Sequence, residues 1–156
     1  MDPLGRKSEK PIPEIFFRMQ FATVIRFGDE FYLRTEQYVG GPRTSQGPLR
    51  KIGDPFDKLG LGLEIVEALN EFKVTDLIFS PEDWEIINQR FNDFFGVKST
   101  RAYHRKAREA TIRREQKKSG ETEYLLFDSS GEEFPCGATP LEIGRSVLTM
   151  LGSHRR

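Results

Sequence analysis

The chain is short of the residues that build disulfides and metal centres. Of its 156 residues one is cysteine, Cys136, so no intramolecular disulfide framework is available and the composition suits a reducing cytoplasm. Two histidines, His104 and His154, stand too far apart in sequence to suggest a metal site. Long hydrophobic runs are missing as well. Nothing approaches the roughly 20 apolar residues of a membrane helix, and the stretch from Met1 to Pro13 has no apolar run of the kind a secretory signal carries. The expectation is therefore a cytoplasmic protein without a membrane partner. No phosphate loop is present: Gly40-Gly41 is not followed by Gly-Lys-Ser/Thr, and Gly60-Leu61-Gly62 lacks a third glycine and a preceding βαβ context. Nothing ties Cys136 to His104 as nucleophile and base, and a cysteine following Phe134-Pro135 reads as a small buried residue. Acid pairs such as Glu82-Asp83 fall in a helix first turn, where the helix dipole accounts for them. These gaps point away from an enzyme, and neither a cofactor nor a metal is expected.

Charge is present in quantity but unevenly spread. Charged residues make up 31% of the chain at a formal net charge of +0. From Asp54 to Glu85 nine acids stand against Lys58 and Lys73, whereas from Lys98 to Lys118 nine bases stand against Glu109 and Glu115. A field divided in this way steers charged partners toward one face, unless the two segments neutralise each other across the surface.

The length fits one domain with a single core. We place it at 14–152, between a flexible N-terminal tail (1–13) and a frayed C-terminal one (153–156). The run from Glu14 to Phe27, rich in Phe, Ile, Val and Thr, predicts a strand; Gly28-Asp29-Glu30 predicts a turn and Phe31–Val39 a second strand. The segment 40–48, made of glycine, proline and small polar residues, predicts a flexible loop, with a short strand at Leu49–Ile52. A helix is expected over 58–72, with Leu61, Ile65, Ala68, Leu69 and Phe72 on one face and Glu64, Glu67 and Glu71 on the other. Ser80-Pro81-Glu82-Asp83 has the signature of a helix start, and Gly96 of a stop; between them Trp84, Ile87, Phe91, Phe94 and Phe95 form a stripe expected in the core. A shorter basic helix is expected over 101–108, a hairpin from Ala110–Gln116 and Thr122–Asp128, and a last helix opening at Thr139-Pro140-Leu141-Glu142 and ending at Gly152.

Two of these helices nearly repeat each other. Leu61-Gly62-Leu63-Glu64-Ile65-Val66-Glu67-Ala68-Leu69 aligns without gaps on Ile143-Gly144-Arg145-Ser146-Val147-Leu148-Thr149-Met150-Leu151, with Asp57 and Thr139 four residues ahead of each block. Both are residue types that accept hydrogen bonds from a helix N-terminus. The repeat predicts an α+β fold of two related strand–helix halves with a helical insert between them. A glycine costs a helix about 1 kcal/mol relative to alanine, so its recurrence at 62 and 144 reads as close packing of each helix against its sheet.

These blocks, together with the aromatic-led helix running into Phe95-Gly96-Val97-Lys98-Ser99-Thr100-Arg101-Ala102-Tyr103-His104-Arg105-Lys106, resemble an immunity-protein family of bacterial contact-dependent growth inhibition systems. The resemblance covers roughly residues 14–152; the long loop 40–48 and the highly charged 101–118 stretch depart from it. It implies a Whirly-like fold of antiparallel sheets each followed by a helix, and a non-enzymatic cytoplasmic protein. It further implies that the chain binds a cognate toxin domain, commonly a nuclease, and occludes its active site. It carries over no catalytic residue and no contact residue.

A nuclease holds phosphates with cations, which carboxylates can imitate. On that ground Asp54, Asp57, Glu64, Glu67, Glu71 and Asp76 are the first candidates for toxin contact, with Arg43 of the 40–48 loop a second. The same acids are equally what the solvated face of an amphipathic helix carries. The alternative function is single-stranded nucleic-acid binding by the basic segment 98–118, where arginines would contact phosphates and Tyr103 would stack on a base.

Overall fold

The computed structural model describes residues 6–7, 12, 14–38, 44–75 and 77–152. A two-residue strand β1 (Arg6–Lys7) is followed by a 3-10 turn (Glu14–Phe17) and the strands β2 (Met19–Phe27), β3 (Glu30–Tyr38) and β4 (Thr44–Lys51). Helix α1 (Lys58–Asn70), the short strands β5 (Lys73–Val74) and β6 (Leu77–Ile78), and helices α2 (Pro81–Phe95) and α3 (Thr100–Lys106) come next. The chain closes with β7 (Ala107–Gln116), β8 (Thr122–Phe127), β9 (Glu133–Pro135) and α4 (Pro140–Leu151).

The main sheet runs β4-β3-β2-β7-β8-β9, antiparallel throughout, with β5 pairing in parallel beside β3; β1 and β6 form a separate antiparallel pair. This is an α+β fold of two three-stranded halves, β2-β3-β4-α1 and β7-β8-β9-α4, with α2 and α3 inserted between them. The halves join through β2 and β7, which pair from Met19↔Glu115 to Phe27↔Ala107. Thr23 and Thr111 lie opposite each other at the middle of that ladder, and their hydroxyls are 3.0 Å apart. Around them Ala22-Thr23-Val24 meets Ala110-Thr111-Ile112, so the strands repeat as well as the helices.

Side-chain alternation divides the sheet into two packed faces. On one, Ala22, Val24, Phe31, Leu33, Ala110, Ile112 and Leu126 pack under Leu61, Ile65, Ala68 and Leu69 of α1 and Ile143, Val147, Leu148 and Leu151 of α4. On the other, Ile25, Phe27, Tyr32 and Leu49 meet Phe91 and Phe95 of α2 and Tyr103 of α3. The aromatic stripe of α2 is therefore core in part: Phe95 is buried and Phe91 packs on Phe95 and Tyr103, while Phe94 faces solvent from the edge of Tyr32.

Local chemistry sets the helix ends. Asp57, Ser80, Ser99 and Thr139 are the N-caps, Ser80 and Asp83 completing a reciprocal capping box, and Gly96 and Gly152 end α2 and α4 in the left-handed region. Gly28, at φ +63, makes the β2–β3 turn.

Several expectations are corrected. Glu14–Phe17 is a 3-10 turn rather than the start of a strand. The segment 40–48 is not a loop to its end, because β4 begins at Thr44 and absorbs the short strand expected from Leu49. Pro48 is tolerated there because, among the described residues, β4 pairs only with β3 and the register shifts between Arg34 and Glu36; edges and bulges are where a missing N–H costs least. The basic helix stops at Lys106, and Ala107–Glu109 extend β7 through pairing with Ile25–Phe27.

The repeated glycines lie at a helix–helix crossing, not against the sheet. A Cβ on Gly62 would stand 2.9 Å from the Cα of Pro140, with the Pro140 carbonyl closer still; one on Gly144 would stand 2.8 Å from the carbonyl carbon of Lys58. Each glycine thus meets the backbone four residues ahead of the other, a reciprocal contact that only two Cβ-less positions permit.

Candidate functional site

Five of the seven expected toxin-contact residues are among those described, and they lie along α1 and the turn that enters it. Asp54 Oδ1 accepts from the Phe56 amide at 3.1 Å, and Asp57 Oδ1 accepts from the Gly60 amide at 3.1 Å, so both carboxylates serve the turn and the helix cap. Glu64 lies 3.8 Å from Arg50 of β4, with both side chains well exposed, a pairing that contributes little. Glu71 accepts from the Thr35 hydroxyl at 3.3 Å. Glu67 is exposed and has no partner among the described residues. The 3/4 spacing of Glu64, Glu67 and Glu71 sets them on one side of the helix, leaning toward β3 and β4. Arg43 and Asp76 lie outside the described residues.

The same helix shows something that reading its buried stripe missed. Phe56, Leu59 and Leu63 are 50%, 50% and 53% exposed, and Leu141 at the start of α4 is 41% exposed. Leu59 and Leu63 are four residues apart, neighbours on the outward face. The signal was available, since both leucines lie off the stripe formed by Leu61, Ile65, Ala68 and Leu69.

The basic segment 98–118 does not form one surface. Arg108 donates to the Met150 and Leu151 carbonyls at 3.0 and 3.4 Å, and Arg26, its cross-strand neighbour, donates to the Leu151 carbonyl at 3.0 Å and to that of Gly152. Two guanidinium groups therefore sit at the negative end of the α4 dipole. Arg114 is held by Gln20 and Asn70, Arg113 lies near Glu115 and Glu123, and Lys117 bonds Glu123 at 2.9 Å. Lys98, Arg101, Arg105, Lys106 and Lys118 remain exposed, four of them on or beside α3. Tyr103, expected to stack on a base, is buried under α2, and its hydroxyl donates to Glu109 Oε2 at 2.5 Å. Burial first, then the Glu109 charge, raises the phenol well above its ordinary value. Beside it the buried Arg34 and Glu36 pair at 2.8 Å, and the Arg34 guanidinium lies over the Phe91 ring.

Cys136 and His104 are not brought together. Cys136 packs half-buried on the α1/α4 face, its thiol pushed up by burial, whereas His104 is exposed on α3 on the opposite side of the sheet. Among the described residues no group of three His, Cys, Asp or Glu side chains is placed to hold a metal, and no helix is long and apolar enough to cross a membrane. A cleft of about 440 Å³ opens between α4 and β8–β9, floored by Leu126, Phe134 and Met150.

Two solved structures share this architecture. A protein of unknown function, NMB0488 from Neisseria meningitidis, is similar over 94% of this chain and 100% of its own, with a TM-score of 0.57 and 16% identity. A chain of the CdiA-CT/CdiI toxin and immunity complex from Yersinia pseudotuberculosis is similar over 88% of this chain and 98% of its own, with a TM-score of 0.61 and 13% identity. At such identities the likeness is one of fold. No family model and no curated relative matches the chain.

Proposed function

We propose that this chain is an immunity protein that binds a cognate toxin domain of a contact-dependent growth inhibition system in the cytoplasm and neutralises it without turnover. The observation that carries this reading is the fold likeness to a chain of a toxin and immunity complex, which extends over nearly the whole length of both chains. The surface of α1 supports it. Glu64, Glu67 and Glu71 project from a helix pinned by its buried stripe, so carboxylates are presented at fixed spacing without the cost of ordering a loop. If the toxin is a nuclease, its phosphate-binding cations are the groups such carboxylates would meet, and occlusion of that active site would follow from binding alone. The nucleic-acid reading is left with weaker support, because Arg108, Arg113, Arg114 and Lys117 are engaged within the fold and Tyr103 is buried.

The test is protection. Expressed in a susceptible bacterium, the chain should rescue growth against one toxin and not against toxins of unrelated systems, saturating near one inhibitor per toxin. Rescue at far lower ratios, with the toxin chemically altered, would replace inhibition by catalysis. Binding to single-stranded DNA or RNA at low salt, weakened by charge reversal at Arg101 and Arg105, would return the nucleic-acid reading to first place.

A further inference from the structure

We infer that the exposed apolar stripe Phe56–Leu59–Leu63 is the anchor of the protein interface, and that Glu64, Glu67 and Glu71 form its polar rim. The inference rests on the immunity reading and adds to it the chemistry of the partner: an apolar depression on the toxin domain bordered by lysine or arginine. Protein interfaces of this kind have a desolvated apolar centre, enriched in aromatics, inside a solvated charged border. Acids alone would steer an encounter but give little residence time, because exposed ion pairs remain hydrated.

The geometry favours this division. Half of each of the Phe56, Leu59 and Leu63 side chains is in solvent, although α1 has a complete buried face of its own in Leu61, Ile65, Ala68 and Leu69. The solvent-facing halves of these three side chains add nothing to that buried face. The patch is also rigid. The Phe56 ring stands edge-on to the buried Phe31, with centroids 5.8 Å apart, and α1 is locked against α4 where Gly62 meets Pro140. A rigid patch loses little conformational entropy on binding.

Charge selects the occupant. Glu64, Glu67 and Glu71 continue from the C-terminal end of the stripe and Asp57 lies at its N-terminal end, with Lys58 the sole base in α1. A second copy docking through this face would bring two acidic rims together, which like-charge repulsion opposes. A partner with a basic border has no such conflict.

The experiment separates anchor from rim by kinetics. The probe is the purified toxin domain that the wild-type chain neutralises in the growth assay, immobilised and met by wild-type and variant chains. Leu59→Ser with Leu63→Ser should raise the dissociation rate about 30-fold or more, with association nearly unchanged. Glu64→Lys with Glu67→Lys should instead slow association, in a manner that added salt diminishes, with a smaller effect on dissociation. Both variants should stay folded by circular dichroism, the double-serine variant with a lowered denaturation midpoint because half of each leucine is covered in the fold. Unchanged dissociation in the folded double-serine variant overturns the anchor while leaving immunity intact. A wild-type chain that protects against no toxin removes the immunity reading and this interface with it. A concentration-dependent dimer of the chain alone, dispersed by the two serines, assigns the stripe to a second copy and overturns the proposed partner.

Discussion

Alanine at Gly62 is the most exacting perturbation the structure offers, because two effects of opposite sign compete there. In an isolated helix the change would stabilise by about 1 kcal/mol. At the α1–α4 crossing the added methyl carbon would stand 2.9 Å from the Pro140 Cα and closer to its carbonyl, where carbon–carbon contact is normally about 3.5–4.0 Å. The helices must then separate locally until the methyl clears the Pro140 carbonyl, and both lie over one buried cluster that includes Leu61, Ile65, Ile143 and Val147. Overpacking of this kind costs about 1–3 kcal/mol and sometimes more, and gaps opened beside the wedge add a cavity term. With backbone as the obstacle and no side chain able to rotate away, the upper end of that range applies, and we expect a net loss of about 2–3 kcal/mol, or about 4–12 °C in Tm for a domain of this size. Chemical denaturation followed by far-UV circular dichroism measures it. Gly53→Ala is the control: nothing lies within 4 Å of the position, so its effect should stay within about 0.5 kcal/mol. Gly144→Ala should cost a similar amount, and the double variant less than the sum, because one displacement of α4 relieves both clashes. A Gly62→Ala chain as stable as wild type, or more so, would refute the backbone contact and with it the account of why the glycine recurs.

Three further outcomes follow from the packing and the charges. Leu69→Ala and Leu151→Ala, at residues 0% and 1% exposed, should each cost about 2–5 kcal/mol in chemical denaturation; a change near zero would place those faces in solvent. The folded state holds the Tyr103 proton more tightly than the unfolded chain does, so the stability due to it is complete below the ordinary tyrosine value of 10.0 and declines as pH rises through that range. Tyr32, pushed up to about 12 chiefly by its bond to Glu30, acts with the same sign. The urea midpoint should therefore fall from about pH 10 upward, and Tyr103→Phe should flatten part of that fall; an identical profile would show that the phenol titrates normally. Arg26→Ala should cost about 1–2 kcal/mol by stripping donors from the C-terminal carbonyls of α4, with amide exchange accelerating in its last turn while α1 is unaffected.

Much of the fold was legible locally, and its legible parts share a cause. Asp57, Ser80, Ser99 and Thr139 each bond an amide no more than three residues away, and Gly28, Gly96 and Gly152 each adopt a conformation that other residues avoid. Such signals need no distant partner, so four helices and two hairpins could be placed from the order of residues. The shared glycine and apolar pattern of the Gly62 and Gly144 blocks disclosed two halves for the same reason. The Ala-Thr repeat at 22–23 and 110–111 was equally available but too short to notice without the helices aligned.

The remainder depended on what lay opposite each residue. Glu133–Pro135 is a strand only because it pairs with β8, and Ala107–Glu109 leave a helical pattern because Ile25–Phe27 offer a ladder. The sequence alone established that Gly62 and Gly144 needed close approach; only the assembled structure chose each other's helix, rather than the sheet, as the surface approached. It likewise set the acids of α1 in one row, a consequence of helical period alone, yet could not show that Asp54 and Asp57 were occupied by local amides or that Leu59 and Leu63 had no cover. Periodicity is a property of one segment, and the sequence determines it. Whether a side chain is satisfied or left facing water depends on every segment packed against it, and that was decided by the tertiary structure.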